Sequence, residues 1–283
     1  MIEQAAEAGD AQSAYIAASI NSSFFWRERD WERALDFLVL AAESGHEAAQ
    51  VSLQIIASDP LSVPQENTDW QKARSAIDLK PWLEPVSSQT ISDRPSIKII
   101  ENFVSVEVCD WLQAQSRGSL SRATIYDKAT GGNTEDERRT NTHCDLGIDK
   151  CGVLTFLIRA RIAAVTAKTD QAMEIPKILH YFPGETFARH YDYLNPSEPA
   201  YANEIAQRGQ RTETFLIYLN DDYEGGETHF YEIGLSHKGK KGDAILFRNV
   251  DEQGRPDEMT MHAGLPPKTG EKWIFSQWIR GTV

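Results

Sequence analysis

The C-terminal half of this chain contains a series of short segments rich in aromatic and β-branched residues, divided by turns that contain Gly, Pro or Asp. In order after Glu174 the segments are IPKILHYF, ETFARHYDY, TETFLIYLN, GDAILFRN and EKWIFSQWIR. Residues of these types favour strands, and short strands bury their apolar side chains only by assembling into sheets. The series predicts a double-sheet barrel or sandwich, with the jelly roll as first choice and helices packed on one side.

The segments that precede these strands have different patterns. SIKIIENFVS has the pattern of a strand and turn, VEVCDWLQAQS that of a helix, and FLIRARIAAVTAK that of a longer amphipathic helix. We therefore predict an α+β domain over residues 86–283.

The N-terminal region is rich in Ala, Glu and Gln and contains internal repeats. AAEAGDA at 5–11 returns as AAESGHE at 41–47, and DWERA at 30–34 returns as DWQKA at 69–73. Separations of this size are typical of stacked helix pairs, because each pair has an apolar face that it cannot bury alone. We predict a small α-helical repeat region over residues 1–85.

The motif from Trp31 to Ala34, followed by Ala41, Ala42 and Gly45, resembles Sel1-like repeats, which are relatives of the tetratricopeptide class. The resemblance implies that the region binds a protein partner. A helical hairpin that only packs on the neighbouring domain is the alternative.

A change of composition marks the predicted boundary. Residues 58–95 contain five prolines and many Ser, Asp and Gln, so helices are expected to stop there. We place the boundary near residue 85.

The charge and the N-terminus exclude several classes of function. A net charge of −13 disfavours binding to nucleic acid or to an anionic membrane. The start of the chain resembles no export signal, no stretch approaches the roughly 20 apolar residues of a membrane span, and the three cysteines lack CxxC spacing. These features predict a cytoplasmic protein with reduced thiols.

One of the predicted strands carries a pair of metal-ligand residue types. In His190-Tyr191-Asp192 the imidazole and the carboxylate project to the same side, because residues i and i+2 of a strand share a face. A third ligand on a neighbouring strand would complete the two-histidine, one-carboxylate set that binds iron(II) and leaves positions open. His262, in MTMHAGLPP, is the best candidate.

Lys272 follows His262 by ten residues and begins the last predicted strand. Its ammonium could pair with the distal carboxylate of a dicarboxylic oxo acid whose other end chelates the metal. Each of these features is common by chance. The evidence for a metal site is their order, their spacing and their positions on predicted strands.

Four segments in order carry a second resemblance: LHYFPGETFARHYDY, RTETFLIYLNDDYEGGETHF, KGKKGDAILF and MHAGLPPKTGEKW. Together they resemble the prolyl 4-hydroxylase family across about residues 178–280. The resemblance implies a double-stranded β-helix (jelly-roll) oxygenase core that uses iron(II), 2-oxoglutarate and O2, with ascorbate as a candidate reductant. It also implies a dioxygenase that decarboxylates 2-oxoglutarate to succinate and CO2 while it hydroxylates a prolyl residue in a peptide or protein.

Residue by residue, this resemblance makes His190, Asp192 and His262 the iron ligands. It makes Lys272 the catalytic-site partner of the 2-oxoglutarate C5 carboxylate, with Arg280 as the next residue to test for that role.

Two further pocket residues come from the same resemblance. Tyr181 matches the family tyrosine that hydrogen-bonds the C5 carboxylate, and its alternative role is that of a core aromatic. Thr228, in the GGET turn, is a weaker candidate, because Gly225 and Gly226 could serve only to form a hairpin.

The substrate is less closely indicated. Arg138 and Arg139 occupy the place of a family loop near the substrate cleft, and a charged solvated loop is the alternative. The long polar stretch 193–211 is expected to be a loop beside the site.

A free amino acid or other small molecule is the alternative to a peptide or protein substrate. An alternative of another class is a non-catalytic scaffold that binds partners through the repeats. The net charge of −13 predicts that neutral or basic peptides bind faster than acidic ones.

Overall fold

The computed structural model describes residues 1–24, 28–57, 69–127 and 132–281. Its helices are α1 (Ile2–Glu7), α2 (Ala11–Ser22), α3 (Trp31–Glu43), α4 (Glu47–Ile56), α5 (Trp70–Ser75), α6 (Lys80–Leu83), α7 (Val106–Arg117), α8 (Ile148–Thr166) and α9 (Pro199–Arg208). The first two prolines of the predicted boundary region lie outside the described residues.

The strands are β1 (Gln89–Asp93), β2 (Ser96–Ile100), β3 (Ser121–Arg122), β4 (Ile125–Asp127), β5 (Gly132–Thr134), β6 (Thr142–Asp145), β7 (Lys177–Tyr181), β8 (Phe187–His190), β9 (Arg211–Tyr218), β10 (Glu224–Gly225), β11 (Thr228–Phe230), β12 (Leu235–His237), β13 (Ala244–Arg248), β14 (His262–Gly264), β15 (Pro267–Thr269) and β16 (Lys272–Arg280). The five strands predicted after Glu174 are confirmed as β7, β8, β9, β13 and β16. The chain is thus a mixture of helices and antiparallel sheets.

The chain divides into two compact units. Unit 1 comprises residues 1–86 and 146–171, and unit 2 comprises residues 87–145 and 172–283. The predicted helix FLIRARIAAVTAK is confirmed as part of α8, which lies in unit 1 although its sequence position falls inside the predicted second domain. That the chain forms separate domains on either side of residue 85 stays a prediction.

In unit 1, the two AAExG segments form equivalent turns between helices. Gly9 and Gly45 both adopt a left-handed backbone, with φ of 95° and 86°, and each amide donates to an alanine carbonyl three residues earlier. Glycine terminates helices in this way because it has no Cβ to clash. Asp30 and Asp69, at the start of the other repeated motif, each cap the following helix by accepting a backbone N–H. The Sel1-like interpretation of these equivalent turns stays a prediction.

Unit 2 is built on two antiparallel sheets. One has eight strands in the order β1-β2-β13-β9-β16-β7-β6-β3, and the other has four in the order β12-β11-β14-β8. Apolar side chains from both sheets form one buried cluster that includes Tyr218 and Ile274 from the larger sheet and Phe230 from the smaller. Burial of such side chains stabilises each by about 1.5–3 kcal/mol, which holds the two sheets face to face.

The polar stretch 193–211, expected to be a loop, contains the ten-residue helix α9. Pro199 occupies the first turn of this helix, where a missing N–H costs nothing. None of its side chains is fully buried, so its sequence lacks the apolar pattern by which a buried helix is predicted. Among the described residues, no helix combines the length and the apolar character that crossing a membrane requires.

We expect that deletion of residues 1–85 leaves a protein that aggregates. Helix α8 buries most of its side chains and contacts α2, α4 and α6, all of which the deletion removes. The expected result is loss of the monomer peak in size-exclusion chromatography, with the full-length chain as control. A monomeric truncated protein with cooperative thermal unfolding would contradict this expectation and would favour a repeat region that is separable from the rest.

Candidate active site

Three side chains with metal-ligand atoms converge in unit 2. His190 ends β8, His262 begins β14, and the two residues are direct partners in the antiparallel pairing of these strands. Asp192 lies in the bend just after β8, with Oδ1 3.5 Å from His190 Nε2 and Oδ2 3.6 Å from His262 Nε2. The candidate ligand atoms all lie within 4.8 Å of one another. This geometry matches a two-histidine, one-carboxylate metal site.

Both imidazoles are oriented by hydrogen bonds to the backbone carbonyl two residues earlier. His190 Nδ1 lies 2.7 Å from the carbonyl oxygen of Ala188, and His262 Nδ1 lies 2.9 Å from that of Thr260. Because a carbonyl oxygen only accepts, each Nδ1 must carry the hydrogen and donate it. Each Nε2 therefore presents a lone pair to the centre of the cluster, as a metal ligand requires.

A chain of hydrogen bonds holds the Asp192 carboxylate. The Thr214 hydroxyl donates to Asp192 Oδ2 at 2.7 Å, and the Asn249 side-chain amide donates to Thr214 Oγ1 at 2.9 Å. All three side chains are buried. Since the Asn249 amide nitrogen only donates, it fixes the direction of the threonine hydroxyl and leaves Asp192 Oδ1 available for a metal ion.

The electrostatics keep two of these ligands in the forms that bind a metal. Burial by itself would raise the pKa of Asp192, but the neighbouring His262, His190 and Thr214 hold it below its usual range. Burial and then the electrostatic interaction with His190 lower the pKa of His262 to about 4. Near neutral pH the carboxylate is therefore anionic and the His262 imidazole neutral.

The cluster lines a cavity that also contains the other predicted pocket residues, Tyr181, Thr228 and Lys272. Lys272 begins β16 opposite Tyr181 of β7, and its Nζ lies 5.0 Å from the centre of the tyrosine ring. Only 2% of Lys272 is exposed, and burial lowers its pKa to about 7. This ammonium forms no close ion pair among the described residues, although its electrostatic interaction with Glu227 opposes the effect of burial.

Thr228, the last residue of the GGET turn, lines this cavity. Its Oγ1 lies 3.1 Å from the Tyr218 hydroxyl, and the residue is buried at the start of β11. Gly226 does not close a simple hairpin, because β10 before it pairs with β15 whereas β11 after it pairs with β12 and β14. Gly226 has a φ of 71°, and a Cβ there would come within 2.8 Å of the Tyr223 ring.

The two predicted substrate arginines have different environments. Arg138 is exposed and forms a bidentate ion pair with Asp136, as the solvated-loop alternative describes. Arg139 is 8% exposed, lies over the Phe187 ring and lines the cavity of the metal cluster. Arg280 does not line that cavity; it forms ion pairs with Glu174 and Glu204.

Three residues of the site had no signal in the sequence. Thr214 was visible only as a hydroxyl within an apolar strand, and Asn249 only as a polar residue after another strand. Phe187, whose ring stacks on His190 at 3.5 Å, looked like an ordinary strand aromatic.

The comparisons with known proteins agree on one class. A family model described as the 2OG-Fe(II) oxygenase superfamily matches residues 176–280. The chain is 31% identical over 209 residues to prolyl 4-hydroxylase 1 of Arabidopsis thaliana, which covers 69% of this chain and 72% of the relative. It is 33% identical over 210 residues to probable prolyl 4-hydroxylase 9 of the same plant, with coverage of 68% and 71%.

A solved structure has the same fold. The viral collagen prolyl hydroxylase of Paramecium bursaria chlorella virus-1, in complex with 2OG, matches with a TM-score of 0.51 and 25% identity, covering 68% of this chain and 99% of the viral chain. Fold, ligand cluster and matches together define an iron(II)- and 2-oxoglutarate-dependent dioxygenase. Within this class, the chain belongs to the prolyl 4-hydroxylase family.

We expect Thr214→Val to weaken metal binding without removing a ligand. The change frees the Asp192 carboxylate from its hydrogen bond, and loss of such an outer partner typically costs about 10–100-fold in metal affinity. Anaerobic calorimetry with Mn²⁺ as a redox-stable probe would measure the change. Thr212→Val is the matched control, because Thr212 lies on the same strand and its hydroxyl donates to the Ile279 carbonyl. Equal Mn²⁺ affinities for the two variants would contradict the expectation.

Proposed function

We propose that this protein hydroxylates a prolyl residue in a peptide or protein, with iron(II) bound by His190, Asp192 and His262. The observation that carries the proposal is the position of these residues on a cavity that also holds the buried ammonium of Lys272, which forms no close ion pair among the described residues. That ammonium is suited to bind the C5 carboxylate of 2-oxoglutarate.

The proposed fold of the oxygenase core is the double-stranded β-helix. Its support is the path of the chain, because β7, β9, β13 and β16 lie in the larger sheet, whereas β8, β11, β12 and β14 lie in the smaller one. The chain thus passes repeatedly from one sheet to the other, as a jelly roll requires.

The ligand set fits iron, because it supplies two imidazoles and one carboxylate and leaves open positions. Bound iron, with O2 and 2-oxoglutarate, supplies the oxidising power for hydroxylation and releases succinate and CO2. In this proposal the Lys272 ammonium fixes one end of 2-oxoglutarate, and the Tyr181 hydroxyl donates to the same carboxylate. Thr228 contributes to the wall of the pocket, and the buried surroundings limit access of water.

The prolyl substrate is proposed from the names of the relatives. A free amino acid or other small molecule is the alternative, since related sites on one fold diverge in substrate. The N-terminal helices are proposed to be Sel1-like repeats that bind a protein partner, and the equivalent turns at Gly9 and Gly45 support this.

A direct test is mass spectrometry of proline-containing peptides incubated with the full-length protein, Fe²⁺, 2-oxoglutarate, O2 and ascorbate. We expect one added oxygen on proline, recovered as 4-hydroxyproline, with one succinate released for each hydroxylation. His262→Ala should produce neither, because it removes a metal ligand. If no peptide gains hydroxyproline while free proline or another small molecule gains oxygen, the small-molecule alternative replaces this proposal.

Lys272→Met should raise the 2-oxoglutarate Michaelis constant far more than the iron requirement. Breaking one side of a buried charge pair costs about 3–5 kcal/mol, which corresponds to at least a hundredfold loss of affinity. Lys177→Met is the matched control, since Lys177 lines the same cavity but pairs with Asp145. An unchanged constant in Lys272→Met would assign the carboxylate to another cation.

The affinity for 2-oxoglutarate should fall as the pH rises above about 7. Burial lowers the pKa of Lys272 in the free protein to about 7, so the ammonium form is already present below that value. Above it, binding of the anionic cosubstrate must take up a proton, and the affinity falls by up to about tenfold per pH unit. Calorimetry in buffers of different ionisation enthalpy measures this uptake. Binding by Lys272→Met should take up no proton, and uptake that persists in this variant would contradict the expectation.

A further inference from the structure

Two arginines beside the proposed metal site form no close ion pair among the described residues, although Asp192 and Asp145 interact favourably with one of them, Arg139. Arg139 and Arg189 line an open groove that also contains His190 and Asp192. Neither forms an ion pair within the part of the chain that the structure describes. The other Lys and Arg side chains of this groove each have a partner: Arg138 with Asp136, Lys177 with Asp145, and Arg211 with Glu174.

Arg139 is the more constrained of the two. It is 8% exposed, and its guanidinium carbon lies 4.2 Å from the centre of the Phe187 ring. Nη1 donates to the Thr124 carbonyl at 3.2 Å, whereas Nε is buried and has no hydrogen-bond acceptor among the described residues. A buried N–H without an acceptor is costly, so an acceptor supplied by a ligand would stabilise this arrangement.

The position of Arg139 relative to the metal cluster follows from ring stacking. The centre of the Phe187 ring lies 4.2 Å from the Arg139 guanidinium carbon and 3.5 Å from the centre of the His190 imidazole. These two distances bound the separation of the guanidinium from the imidazole. The guanidinium carbon is no farther from the centre of the imidazole than the sum of these distances, which is a span of about two extended residues at roughly 3.5 Å each.

We infer that the substrate carries a carboxylate within about two residues of the hydroxylated proline and that Arg139 receives it. Arg189, which lies over the Tyr231 ring at 3.8 Å, adds positive charge to the same groove. This inference rests on the proposed function, because it concerns the substrate of the same site. The carboxylate could belong to an Asp or Glu side chain, to a chain terminus or to a free amino acid.

The local charge reverses the expectation drawn from the whole chain. A net charge of −13 favours neutral or basic peptides if only the overall field is considered. Exposed charges farther away than about 8 Å are largely screened at physiological ionic strength, whereas a contact in the groove is not. The unpaired arginines therefore decide the preference.

The test is a set of end-blocked peptides that differ only two residues from a single proline, where they carry Glu, Gln or Lys. The expected kcat/KM for hydroxyproline formation is at least about tenfold higher for Glu than for Gln, as a charge-assisted hydrogen bond would provide, and lowest for Lys. A Gln peptide with an unblocked C-terminal carboxylate near the proline, and the pair proline and prolinamide, distinguish the sources of the carboxylate.

Arg139→Gln should bring the Glu-to-Gln ratio close to one. Arg138→Gln removes the same formal charge from the groove but should keep the ratio, because Asp136 already compensates Arg138. Circular dichroism reports whether each variant folds, and if Arg139→Gln does not, the wild-type ratio decides.

Equal hydroxylation of the Glu and Gln peptides by the wild-type protein, with no gain from the unblocked C-terminus, overturns the inference and leaves the proposed function intact. Absence of hydroxyproline from every peptide overturns the proposed function instead, and with it the inference for peptides; a preference for proline over prolinamide would then support carboxylate recognition in a small molecule.

Discussion

The pairing of β8 with β14 is the constraint on which the candidate site depends. It places His190 opposite His262, and each imidazole is held from behind by a carbonyl two residues earlier in its own strand or turn. The same kind of hydrogen bond orients both rings, and the rings of Phe230 and Phe247 also pack against the His262 imidazole. A slip of one residue in this register would turn one imidazole to the opposite face of the sheet and separate the ligands.

The carboxylate ligand depends on a different part of the fold. Asp192 lies beyond the end of β8, so strand pairing does not hold it, and the Thr214 hydroxyl of the larger sheet does so instead. Asn249, just after β13 of that sheet, fixes the hydroxyl in turn. The candidate metal site therefore has two of its candidate ligands in or just after strands of the smaller sheet, and the third is oriented by the larger one. This dependence couples the site to the packing of the sheets.

The difference between local and non-local constraints explains what the sequence could predict. Strand alternation and turn residues are local, and they predicted β7, β8, β9, β13 and β16; the order of His190, Asp192, His262 and Lys272 indicated the chemistry. Thr214 and Asn249 act on residues 22 and 35 positions away, and no local pattern identifies such partners. Likewise, adjacent Arg138 and Arg139 differ because a bridge pairs Arg139 with Phe187, which lies far along the chain. Helix α8 was predicted as a helix, but its contacts with α2 come from a segment more than 100 residues earlier.

Two buried cations remain unexplained by the stability of the protein alone. Lys272 and Arg139 both line the cavity of the metal cluster, and neither has an ion-pair partner among the described residues, although the chain contains 42 acidic side chains against 29 basic ones. Asp192 and Asp145 interact favourably with Arg139, and Glu227 with Lys272, but burial outweighs these interactions and lowers the pKa of both cations. A buried charge without a close ion-pair partner destabilises a fold. Their burial is explained if bound molecules supply both counter-charges. In the proposed reaction, the cosubstrate brings a carboxylate to Lys272, and the substrate brings another to Arg139. The same desolvation that weakens the free protein would then strengthen the binding of both molecules, because an ion pair formed in a dry cavity is stronger than one formed in water.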